Sequence, residues 1–106
     1  MAISEERAEA AVWFLRNTAK RYGKARGYSA FCESNLRRVK ALEMASKSGG
    51  VGEREAAAYA SVAYGEALEE LQNSVADYET LRALRDAAIF TIEVWRSQSS
   101  ARKAGI

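Results

Sequence analysis

The fold this sequence predicts is all-α, an antiparallel helical hairpin of coiled-coil type, and three observations carry it. Proline is absent, so the residue that most often breaks helices interrupts nothing. Apolar residues recur every three or four positions through two long segments, which is the helical period. Between those segments lies Ser46-Lys47-Ser48-Gly49-Gly50-Val51-Gly52, whose glycines permit the chain to reverse.

The first helix is expected over about residues 4–47. Ser4 suits the N-cap, and Glu5, Glu6 and Glu9 suit the positive end of the helix dipole. Val12, Leu15, Ala19 and Tyr22 set the apolar spacing, and Tyr28, Phe31, Cys32, Leu36, Val39 and Leu42 resume it. Gly23 and Gly27 interrupt it, each costing about 1 kcal/mol relative to alanine. They predict either a bend at 23–27 or the close approach of a second backbone. A turn at 48–52 and a short helix at about 53–60 follow.

Ser61 is the expected cap of a last helix over about 62–101. Its stripe reads Tyr64, Leu68, Leu71, Val75, Tyr78, Leu81, Leu84, Ala88, Ile92 and Trp95, ending in a basic, fraying tail with Arg102 and Lys103. The two long helices bury their stripes on each other within one domain, 1–106. Trp13, Phe14, Ile89, Phe90 and Val94 widen the apolar surface beyond one seam. A protein partner or a second copy is expected to cover the remainder.

Composition argues against catalysis. Histidine is absent, which removes Ser-His-Asp and Cys-His arrangements and the commonest zinc ligand. The single cysteine, Cys32, beside Phe31, reads as a core filler, and one cysteine suits a reducing compartment. The glycine run lacks the Lys-Ser/Thr of a phosphate loop. No metal or cofactor is expected. Neither a signal peptide nor a membrane span is legible, so the chain reads as soluble and intracellular.

Charge is the more informative property. The net charge is +2, yet residues 1–52 hold ten Lys or Arg against five Glu, whereas residues 53–106 hold six against nine acids. Arg16, Lys20, Arg21, Lys24 and Arg26 form a cluster with no acid between Glu9 and Glu33, and Arg37, Arg38 and Lys40 form a second, smaller one. On a helix, Arg16, Lys20 and Lys24 share one face, with Tyr22 and Tyr28 available to stack on bases. The alternative is that this stripe pairs across the hairpin with Asp77, Glu79 and Asp86. Trp13 is the candidate anchor for a protein partner.

The segments Glu53-Arg-Glu-Ala-Ala-Ala-Tyr-Ala-Ser61, Ala67-Leu-Glu-Glu-Leu71, Tyr78-Glu-Thr-Leu-Arg82 and Ile92-Glu-Val-Trp-Arg-Ser97 resemble the C-terminal half of small helical proteins of tailed bacteriophages and prophages. Those proteins usually carry Pro-Glu-Tyr after the position of Ser61, where Val62 and Ala63 begin the run here. The resemblance covers about residues 53–102. It implies a helical hairpin, the cytoplasm of a bacterial host, and a setting near recombination or single-strand annealing genes. It brings no catalytic residues.

Three functional expectations follow. The first is a non-enzymatic phage-type protein that engages and inhibits a host nucleic-acid-processing or defence complex, as anti-CRISPR proteins do. The second is an accessory DNA-binding protein in phage recombination, and the third is a structural coiled-coil oligomer such as a homodimer.

Overall fold

The computed structural model describes residues 2–105 as three helices: α1 (Glu5–Ala45), α2 (Val51–Tyr59) and α3 (Val62–Gly105). α1 packs against α3, with the short α2 between them in the chain, and this is the expected helical hairpin. Both long helices start on a serine. Ser4 Oγ accepts the Arg7 N–H at 3.2 Å, and Ser61 Oγ accepts the Tyr64 N–H at 3.1 Å. The Ser61 hydroxyl also donates to the Ala58 carbonyl at 2.7 Å, so one side chain ties the end of α2 to the start of α3.

The glycine-rich turn is shorter than its composition suggests. α2 begins at Val51 and absorbs Gly52, and among the described residues Gly49 alone takes a positive φ, +103°. α3 continues to Gly105, with Arg102 and Lys103 favourably placed at the negative end of its dipole. α1 is one helix through residues 23–27, and a Cβ at Gly23 or Gly27 would meet nothing within 4 Å. No second backbone packs on these glycines.

Packing divides the chain into two compact units, Met1–Gly23 with Glu79–Ile106, and Lys24–Tyr78. In the first, the seam comprises Ala8, Ala11, Leu15, Thr18 and Tyr22 of α1 with Leu81, Arg85, Ala88, Ile92 and Trp95 of α3, all buried or half-buried. In the second it comprises Ala25, Ser29, Cys32, Leu36 and Val39 with Tyr64, Ala67, Leu71, Ser74 and Tyr78. Within each unit the steps alternate between three and four residues, the heptad of a coiled coil.

Many of these seam positions hold alanine, serine, threonine or cysteine. Small side chains let two helix surfaces approach closely and admit little else. Three of the large apolar residues expected on the α3 stripe therefore stand beside the seam. Leu68, Val75 and Leu84 are 37, 40 and 51% exposed, while their neighbours Ala67, Ser74 and Arg85 occupy the seam.

Arg85 is the most polar member of the first seam. Its Nη1 donates to the Leu15 carbonyl at 2.8 Å and to Thr18 Oγ1 at 2.6 Å, and the guanidinium lies 4.9 Å from the centre of the Tyr22 ring. Thr18 passes its own proton to the Phe14 carbonyl at 2.7 Å. These contacts fit only one alignment of α3 on α1, so the arginine fixes register as a polar residue at a coiled-coil core position does. Near the chain ends, the Ile3 N–H donates to Gln98 Oε1 at 2.8 Å and Ile3 is buried.

Two stability measurements follow from this packing. Gly23→Ala and Gly27→Ala should each stabilise the protein in urea titrations by up to about 1 kcal/mol, since a methyl fits without contact and helix propensity improves. Arg85→Ala should cost about 1–2 kcal/mol through lost charged hydrogen bonds and packing. Arg85→Met should recover most of that loss, because an apolar side chain of similar length needs no polar partners.

Candidate polyanion-binding surface on α1

α1 carries all the basic residues singled out in the sequence. Arg16, Lys20 and Arg21 belong to the first unit, and Lys24, Arg26, Arg37 and Arg38 to the second. All seven are exposed. Among the described residues, none of the seven forms an ion pair or a hydrogen bond through its side chain, so the alternative pairing with Asp77, Glu79 and Asp86 is not made. Glu79 instead pairs with Arg82, 3.6 Å away on its own helix.

In the second unit these cations flank aromatic rings. Lys24, Phe31 and Arg38 follow one another at seven-residue steps, so they line one side of α1 about two turns apart. Phe31 is 60% exposed although its spacing had suggested the buried stripe. Tyr28 stacks beside it, with ring centres 6.2 Å apart and planes inclined by 21°. Arg26 and Arg37 share another face, roughly 130° around the helix from Phe31.

Tyr28 is held in place from α3. Its hydroxyl donates to Glu70 Oε1 at 2.5 Å. This bond, then one with Cys32, raises the phenol well above its ordinary range, so Tyr28 stays neutral near pH 7. One edge of the surface is thereby fixed, while the Phe31 ring and the basic side chains remain free to contact a ligand. Tyr22, the other tyrosine expected to stack on bases, lies half-buried in the first seam under Arg85.

The α2 end of the second unit carries a separate cluster. Lys40 Nζ donates to Tyr59 Oη at 2.7 Å and lies 3.7 Å from Glu55, and the tyrosine bond chiefly raises the lysine pKa. Tyr59 meets Tyr64 edge to face at 5.2 Å, beside the fully buried Ala58. These contacts join all three helices and leave Lys40 engaged, unlike Lys24 and Arg38.

The remaining expected positions are quickly placed. Cys32 is buried in the second seam, as its reading as a core filler requires. Trp13 is 65% exposed on the first unit, where an anchor for a partner would stand. Trp95, expected in the core, is half-buried and lines a groove with Glu5, Ala8, Glu9, Val12 and Ile92, of about 330 Å³. Among the described residues no cluster of acids and cysteine is placed to hold a metal ion, and no helix is long and apolar enough to cross a membrane.

Comparison with known protein families, with curated proteins and with solved structures finds no match to this chain.

The Tyr28–Glu70 bond predicts a titration. The raised phenol stabilises the fold below about pH 10, where an unfolded tyrosine is still protonated, and that contribution fades as alkali ionises Tyr28. Absorbance titration should show the Tyr28 phenol ionising late, and Glu70→Gln should move it to lower pH. Unchanged titration in that variant would show that the bond does not form in solution.

Proposed function

We propose that the protein is a non-enzymatic accessory factor that binds single-stranded nucleic acid through the Lys24–Tyr28–Phe31–Arg38 face of α1. The observation that carries this reading is the exposed Phe31 ring set between two cations that have no ion-pair partner among the described residues. Unpaired cations contact phosphates without first breaking internal salt bridges, and counterion release drives the binding. An exposed ring gives any base a stacking surface without selecting sequence. The phage resemblance, with its setting near annealing genes, agrees with this activity.

A second reading rests on the opposite charge of α3. Between Val62 and Tyr78 that helix carries Glu66, Glu69, Glu70 and Asp77 and no lysine or arginine. Such a face complements the cationic channel of a nucleic-acid-processing or defence complex, and a protein docked there would inhibit by occlusion, in an anti-CRISPR-like manner.

Fluorescence anisotropy with labelled single-stranded oligonucleotides separates the two. Binding should weaken steeply between 50 and 200 mM salt, on the order of tenfold or more. Lys24→Glu with Arg38→Glu should abolish it, and Phe31→Ala should weaken it about tenfold through lost stacking. No binding even at low salt would reject the nucleic-acid reading and direct attention to Glu66, Glu69 and Asp77 in pull-downs with effector complexes.

A further inference from the structure

The first unit exposes a second surface, which the proposed activity does not use. Glu5, Glu9, Val12, Trp13, Arg16 and Lys20 share one side of α1, and all six are exposed. Their order is two acids, two apolar residues and two bases. That order complements itself on reversal. Set antiparallel to a copy of itself, the helix brings Glu5 opposite Lys20, Glu9 opposite Arg16 and Val12 opposite Trp13, and the twofold axis repeats each pair.

The apolar middle of this face borders the groove lined by Ala8, Val12, Ile92 and Trp95, with Glu5 and Glu9 at its rim. The groove holds about 330 Å³, which is room for a large side chain. Trp13 stands 65% exposed on the same side, and Ile89 adds apolar surface on α3. Area argues in the same direction. The chain exposes 7629 Å². A compact monomer of this length exposes roughly 5,900 Å². The excess exceeds the roughly 800 Å² that each partner buries in an ordinary stable interface.

We infer that the protein forms a twofold homodimer in which this face of α1 docks antiparallel on the same face of a second copy, each Trp13 entering the groove beside the other copy's Val12. An isologous contact closes on itself, so association stops at two chains. The buried indoles supply most of the affinity, and the four rim ion pairs set the antiparallel direction. The inference is independent of nucleic-acid binding, because Lys24, Tyr28, Phe31 and Arg38 take no part in it.

Sedimentation velocity or light scattering across micromolar concentrations tests it with three charge variants and one truncation. Glu9→Arg faces arginine with arginine at both symmetric positions, and Arg16→Glu faces glutamate with glutamate. Each should weaken the dimer about tenfold or more. The double exchange, Glu9→Arg with Arg16→Glu, rebuilds both pairs with their signs reversed and should return the dimer to near its original strength. Trp13→Ser should leave monomer at concentrations where the parent is dimeric. All three positions are exposed, so circular dichroism should show helix content unchanged. A chain that stays monomeric to 100 μM overturns the inference, a concentration about a hundredfold above a micromolar Kd. So does a dimer that the single charge reversals leave intact, or one that the double exchange fails to restore.

Discussion

The small-residue seam is the constraint from which the other features follow. Two helices alone can bury only one narrow stripe each, and here that stripe is built from Ala8, Ala11, Thr18, Ala25, Cys32, Ala67, Ser74 and Ala88 as much as from large side chains. An alanine contributes little more than one methyl, worth about 0.8 kcal/mol, whereas a buried leucine contributes about 1.5–3 kcal/mol. Close approach partly offsets this, since small side chains bring many backbone atoms into dispersion contact. Among the described residues no large side chain is fully buried. Stability therefore leans on helix propensity, on the serine caps and on a few cross-helix polar contacts.

Those polar contacts also give the hairpin its alignment. A seam with many small residues interlocks less firmly than one of large side chains, and leaves the helices some freedom to slide. Arg85 removes that freedom in the first unit, since its donors need the Leu15 carbonyl and the Thr18 hydroxyl together. Tyr28 and Glu70 do the same in the second, as do Lys40, Glu55 and Tyr59 around the start of α3. Each contact adds modestly to stability but specifies one register, and that register decides which side chains face solvent.

Much of the architecture was legible in the sequence. The helical period, the missing proline, the glycine run and the two serine caps give three helices in the right order with boundaries a few residues off. The site was less legible, for a specific reason. Reading the stripe by the largest apolar residue at each turn selects Leu68, Val75 and Leu84, one position away from the true seam residues Ala67, Ser74 and Arg85. Heptad counting from Tyr64 or Ala8 would have found the seam, because its steps of three and four are unbroken within each unit. The same count would have placed Phe31 outside. That Arg16, Lys20, Arg21, Lys24, Arg26, Arg37 and Arg38 make no ion pair among the described residues could not be read from composition, because the acids of α3 are numerous enough to answer them.

The seam also explains why one helix can serve two surfaces. A seam of small residues occupies a narrow arc of α1 and leaves the rest of its circumference in solvent. Large apolar and basic side chains placed there cost the fold little, since the fold does not use them, and they are free to bind. In the first unit the free arc is self-complementary in charge, and in the second it is basic and aromatic. If the first arc pairs two chains, the assembly carries two copies of the second. A single strand bound at one copy then meets the other at raised effective concentration, and modest contacts by Lys24, Phe31 and Arg38 gain avidity without any new contact. Weak single-site binding and dimerisation would thus be parts of one mechanism, with occupancy by long strands exceeding that by short ones.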